Sequence, residues 1–109
     1  MGPPANRKLE ENRNGRDPPG EKYFRPKRRR DVRTRVVEGE TIVLDRREEF
    51  VHQFNKTASY IWIHCTGAYT LDEITVGLCQ SFDVDFPTAR KDVLATLKKL
   101  GQAKLLESF

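Results

Sequence analysis

A change in hydrophobic periodicity near residue 55 constrains the fold of this chain more than any other feature. Residues 32–54 contain short β-branched and aromatic runs separated by polar turns, whereas apolar residues recur every three or four positions from residue 58 onward. A period of two indicates β-strands, and a period near 3.6 indicates amphipathic helices. The chain is therefore predicted to be a small α+β domain, with a three-stranded antiparallel sheet packed on a three-helix bundle.

The strand region is predicted to form a meander with one turn at Gly39 and a second, polar turn at residues 45–49. The third strand is predicted to cover residues 50–54. Alternation along it gives two faces, with Phe50, His52 and Phe54 on one and Val51 and Gln53 on the other.

Three helices are predicted to follow the strands. Asn55 or Thr57 can cap the first helix, because a short side-chain oxygen accepts an unpaired backbone N–H. Thr70 and its partner three residues later form a capping box for the second helix. The third helix is predicted to begin near Pro87 and to end at Gly101. The helical trio resembles the arrangement in winged helix-turn-helix proteins.

The first 31 residues differ in composition from the rest of this 109-residue chain. They hold five of the six prolines, and ten Lys or Arg against five Asp or Glu give them a net charge of +5. Residues 32–109 have a net charge of −1. Because it has too little apolar surface to offset its ordering entropy, segment 1–31 is predicted to be a disordered basic tail, and residues 32–109 to be the folded domain. The basic run 25–30 suits an acidic partner or a plain solvated arm.

Several classes of function are excluded or disfavoured. No apolar run approaches the roughly 18 residues of a membrane span, and no secretory signal is present, so a cytoplasmic protein is predicted. The common nucleotide-binding, metalloprotease and nucleophile-elbow motifs are missing, and we expect no catalytic activity and no cofactor. Four side chains could bind a metal, but their spacing fits no zinc site: His52, His64, Cys65 and Cys79.

A series of short motifs extends over residues 34–107. The series runs Asn55-x-Thr57-Ala58-x-x-Ile61-Trp62, Thr66-Gly67, Thr70-Leu71-x-Glu73-Ile74, Leu78, Phe82, Asp92-Val93, Leu97-x-x-Leu100 and Leu105-Leu106. In this order and spacing it resembles the PqqD family. The chain departs from the family pattern at Thr66, where Asp is frequent, and at Phe54, where Leu is frequent; both changes concern the subfamily more than the fold.

The resemblance implies a peptide chaperone, also called a RiPP recognition element. Such a domain binds the leader of a ribosomally made precursor peptide and presents it to a modifying enzyme, commonly a radical-SAM protein. The leader is expected to add as a strand beside the third strand and against the third helix. The strand residues expected to bind it are Phe50, Val51, His52, Gln53 and Phe54.

The third helix is expected to supply the side chains that strengthen this binding. If Val93, Leu97 and Leu100 face the core, a neighbouring face presents one apolar anchor flanked by cations. Such a face would suit a leader that carries an apolar residue with Asp or Glu nearby. That face comprises Arg90, Lys91, Leu94 and Lys98. The same residues could equally form an ordinary solvated helix face beside peripheral core.

A winged-helix-like DNA-binding protein is the alternative function. The helical trio and the basic tail fit nucleic acid, but the domain has a net charge of −1 and its third helix mixes Asp92 with the cations. Nucleic acid and membrane are therefore not expected as partners. The chain is expected to be a monomer or a weak dimer.

Overall fold

The computed structural model describes residues 23–107, in which an antiparallel sheet of three strands is followed by three helices. The sheet order is β1-β2-β3. The elements are β1 (Arg33–Val37), β2 (Glu40–Asp45), β3 (Phe50–Phe54), α1 (Lys56–Ile63), α2 (Leu71–Phe82) and α3 (Phe86–Gln102). The predicted α+β fold, with a three-stranded antiparallel sheet followed by three helices, is confirmed.

The central strand β2 determines which side of the sheet is covered by the helices. Its buried residues are Thr41, Val43 and Asp45. Their Cα partners on β3 are Phe54, His52 and Phe50, respectively. Because opposite residues in an antiparallel pair point to the same side, these three β3 residues lie on the inner face of the sheet, as the alternation in sequence predicts.

Helix α1 connects the sheet to the helical core. Asn55, one of the two predicted caps, accepts a hydrogen bond from the Ala58 N–H at 2.9 Å. Trp62 is fully buried, and its indole N–H donates to the Thr34 hydroxyl at 3.2 Å. Burial raises the pKa of the Cys65 thiol to about 12, so Cys65 behaves as a small core residue.

The capping box of α2 forms as predicted. Thr70 accepts a hydrogen bond from the Glu73 N–H at 3.1 Å, and the Glu73 carboxylate accepts one from the Thr70 N–H at 2.8 Å. We expect Thr70→Ala to lower the free energy of unfolding by about 1 kcal/mol, because an N–H of the first turn loses its partner. Urea denaturation measures this loss. Thr70→Ser keeps the hydroxyl and serves as the control; an equal loss in both variants would contradict the capping role.

Helix α3 is longer than the sequence indicated. The prediction that it ends at Gly101 is wrong, since the helix continues to Gln102. The chain reverses instead at Lys104, which has a positive φ of 62°. A glycine near a helix end costs only about 1 kcal/mol, so packing of the buried Leu100 and Leu105 outweighs its preference to stop the helix.

Residues 24–31 pack on the domain, although the sequence assigned them to a disordered tail. Backbone N–H groups of this segment donate to the carbonyls of Cys65 and Leu105 at 2.9 and 2.8 Å, from Arg28 and Arg29. The Arg28 guanidinium lies 5.7 Å from the centre of the Trp62 ring. Composition missed these contacts because backbone pairing requires no apolar side chain. The predicted disorder of residues 1–22 lies outside the described residues.

A buried ion pair anchors the same segment to the sheet. Arg29 is 8% exposed and Asp45 fully buried, and their side chains are joined by two hydrogen bonds of 2.8 and 3.1 Å. Arg29 also binds Asp31 at 2.9 and 3.0 Å and donates to the Lys104 carbonyl at 2.8 Å. The guanidinium holds the pKa of both carboxyls below the ordinary range, to about 2 for Asp31. The buried Arg29 side chain thus connects the N-terminal segment to β2 and to the chain after α3 by hydrogen bonds.

Within residues 23–107, no helix combines the length and apolar character that crossing a membrane requires. The same residues contain no cluster of three potential metal ligands. Cys65 and Cys79 are both free thiols.

Candidate functional site

A groove with a volume of about 570 Å³ lies between β3, the start of α1 and α3. No Cα atom of β3 lies within 8 Å of a Cα atom of α3, so the two elements form separate walls. A strand paired with the free edge of β3 would lie about 4.8 Å from it, and the groove is the open space between β3 and α3. The α3 wall consists of Asp92, Ala95, Thr96, Lys99 and Leu100. The remaining lining residues are His52, Gln53, Phe54, Asn55, Thr57, Ala58, Ala103 and Leu105.

The outer edge of β3 is unpaired among the described residues. β3 pairs with β2 alone, which leaves half of its backbone donors and acceptors without a strand partner. None of its five residues is charged. The other free edge, β1, carries Arg33 and Arg35, and charged side chains discourage pairing along an edge. Of the two edges, β3 is therefore the one that can accept another strand.

Aromatic rings support the inner side of β3. The ring centres of Phe50 and His52 are 4.8 Å apart, and those of His52 and Phe54 are 6.2 Å apart. Phe54 in turn packs on the buried Trp62 at 5.6 Å. Because Trp62 lies in the core, this stack holds the β3 wall in place. The His52 Nε2 atom is buried and has no hydrogen-bond partner among the described residues.

The structure brings only part of the predicted site together. His52, Gln53 and Phe54 line the groove, while Phe50 and Val51 lie on the same strand and are 58% and 59% exposed. The predicted helix residues do not line it. Arg90 forms an ion pair of 3.8 Å with Asp72 on α2, Leu94 is half-buried against the core, and Lys91 and Lys98 are exposed.

The helix residues that do line the groove were missed by sequence reasoning. At 100° per residue, the lining residues of α3 are centred about 140° around the helix from the predicted face. Both faces flank the same buried stripe, so the periodicity of apolar residues could not choose between them. The small residues Ala95 and Thr96, three and four positions after Asp92, were the available signal, because short side chains leave space beside a helix.

The comparisons with known proteins agree with this geometry. The family model of coenzyme PQQ synthesis protein D (PqqD) matches residues 40–106, which is more than half of the chain. The chain belongs to the PqqD family. The PqqD match includes β2, β3, all three helices and the whole groove, and it leaves out β1 and the packed segment before it.

The fold of this PqqD family chain is also similar to a solved structure, that of TbiB1 in complex with the TbiA(beta) leader peptide. The identity is 24%, the TM-score is 0.70, and the match covers 76% of this chain and 96% of that chain. No curated protein matches the chain.

Proposed function

We propose that this chain is a non-catalytic peptide chaperone. It binds the leader of a ribosomally synthesised precursor peptide by strand addition to β3 and presents it to a modifying enzyme such as a radical-SAM protein. The observation that carries the proposal is the edge of β3 beside an open groove, an edge that carries no Lys, Arg, Asp or Glu and that is unpaired within residues 23–107. Membership of the PqqD family supports it, as does the similarity in fold to TbiB1, whose structure contains a leader peptide.

Backbone pairing alone cannot supply the affinity. Four added hydrogen bonds, each worth a net of about 0.5–1.5 kcal/mol, contribute only a few kcal/mol. Ordering a flexible leader costs a comparable amount, about 2–5 kcal/mol. Side chains in the groove must therefore provide the surplus, and Phe54, Ala58 and Ala95 offer accessible apolar surface there. This requirement explains why the edge and the groove have to occur together.

The helical half of the site is placed on the groove-lining residues of α3. Asp92, Ala95, Thr96 and Lys99 face the space that a fourth strand would occupy. The residues predicted from sequence, Arg90, Lys91, Leu94 and Lys98, are not among the groove-lining residues. We therefore expect substitutions on the groove-lining face to affect leader binding most.

Hydrogen–deuterium exchange tests strand addition directly. The probe is a synthetic leader peptide, and its sequence is chosen by searching the genes beside the gene for this chain for a short precursor peptide. On saturation we expect at least about a tenfold slowing of exchange at alternate amides of β3, because a new strand satisfies every second N–H along an edge. The amides of β1 serve as the internal control and should not change. Equal slowing in both strands, or none in β3, would contradict binding by strand addition.

The described part of the basic segment gives little support to the alternative of DNA binding. Within the basic run 25–30, Arg28 donates to the carbonyls of Trp62 and Ile63 at 3.0 and 2.9 Å, and Arg29 is buried against Asp45. Lys27 lies 3.8 Å from a carboxylate oxygen of Glu107. These cations are therefore occupied within the domain and are poorly placed to contact phosphates.

A further inference from the structure

The groove contains two formally charged side chains, and they have opposite signs. Both belong to α3, and Lys99 follows Asp92 by seven residues, or two helical turns, on the same face. At a rise of 1.5 Å per residue, the two positions are about 10 Å apart along the helix axis. Within residues 23–107, neither side chain has an ion-pair partner inside 4 Å. Their charges are therefore available to a molecule in the groove.

The contacts of Arg29 indicate which end of β3 lies near Lys99 and which end lies near Asp92. Arg29 binds Asp45, the Cα partner of Phe50, and also binds the carbonyl of Lys104. The C-terminal end of α3 therefore lies near the start of β3. Since α3 runs back along the groove from there, Lys99 lies towards the start of β3, and Asp92 lies towards its end at Phe54.

We propose that Asp92 and Lys99 select leaders by the order of their charges and so fix the direction of the bound strand. The favoured guest runs antiparallel to β3 and carries a cationic residue N-terminal to an anionic one. An antiparallel guest enters at the Phe54 end, so its N-terminal part meets Asp92 and its later part meets Lys99. This inference rests on the proposed function and adds the chemistry of the recognised segment.

The spacing of the two guest charges follows from strand geometry. An extended chain rises about 3.3 Å per residue, so about 10 Å corresponds to roughly three residues. Residues two or four positions apart, rather than three, point to the same side of a strand. Flexible side chains can make up the difference between these spacings and about 10 Å. A guest with the reverse order would place like charges together at both positions, and such juxtaposition weakens binding. Antiparallel addition also continues the pattern of β1, β2 and β3.

Selection from a random peptide library tests the charge order. The full chain and its charge-swapped variant, Asp92→Lys with Lys99→Asp, are each used to select from an mRNA-displayed library of 12-residue peptides. Peptides enriched on the unmodified chain are expected to carry Lys or Arg two to four residues before Asp or Glu. The swapped variant is expected to enrich the reverse order. Lys98→Asp, on the exposed face away from the groove, is the matched control and should enrich the same order as the unmodified chain.

A direct titration completes the test. One peptide enriched on the unmodified chain should bind the swapped variant at least about tenfold more weakly, and the same peptide with its two charges exchanged should regain affinity. Enriched peptides that displace the synthetic leader but show no charge order, or the reverse order, would overturn this inference and leave the proposed function standing. Failure of the chain to bind the leader at all would overturn the proposed function itself.

Discussion

Arg29→Ala lowers the free energy of unfolding by about 3–5 kcal/mol, because the substitution leaves the carboxylate of Asp45 buried without its countercharge. The variant also loses the hydrogen bond to the Lys104 carbonyl, which connects the N-terminal segment to the end of the helical core. A domain of this size has a total stability of about 5–15 kcal/mol, so the loss should be visible in any unfolding experiment. Urea denaturation followed by circular dichroism is the measurement.

Arg47→Ala is the matched control for this prediction. Arg47 is exposed and pairs with Asp31 at 2.9 Å, and exposed pairs are worth about 0–1 kcal/mol. A second readout is acid sensitivity. Because the pKa of Asp31 and that of Asp45 are lower in the folded state, the stabilisation is present above about pH 4 and is lost as the pH falls towards 2. The loss of stability at low pH should be smaller in Arg29→Ala than in the unmodified chain. Equal stability of Arg29→Ala and Arg47→Ala would contradict the anchoring role of the buried pair.

Ala95→Trp is expected to weaken binding of the synthetic leader at least tenfold, or about 1.4 kcal/mol. Ala95 is exposed on the groove-lining face of α3, so a large ring there fills the space needed for an added strand. The helix itself should tolerate the change, because the original side chain is outside the core. Isothermal titration calorimetry gives the affinity, and a thermal melt shows whether the variant remains folded.

Lys98→Trp introduces the same ring at an exposed position of α3 that does not line the groove, and it is the matched control. It should bind the leader as the unmodified chain does. If Lys98→Trp weakened binding and Ala95→Trp did not, the leader would lie on the face first predicted from sequence, with Arg90 and Leu94, and the groove would be the wrong site.

Features that depend on residues close to one another in the sequence could be predicted from the sequence. The alternation along β3 correctly predicted that Phe50, His52 and Phe54 share one face, because side chains in a strand point to opposite sides in turn. The capping box at Thr70 was recognisable because its two hydrogen bonds join residues only three positions apart. Likewise, Val93 marked the buried stripe of α3.

Features that join distant parts of the chain could not be predicted from the sequence. Arg29 lies in a basic, proline-containing segment whose composition indicated disorder, and its partner Asp45 is sixteen residues away in a strand. The side of α3 that faces the groove was also undetermined, because two faces flank one buried stripe. Both depend on how the helices pack against the sheet, and that arrangement is set by long-range contacts.

The amino-acid sequence alone thus determined the class of fold, the order of its elements and which residues share a face of β3, since each follows from local periodicity and hydrogen bonding. Only the tertiary structure decided that residues 24–31 pack on the domain, which face of α3 lines the groove and where its two charges lie relative to β3. A one-dimensional pattern records which residues are apolar, but the rotation of a helix about its own axis is fixed only when it packs against its neighbours.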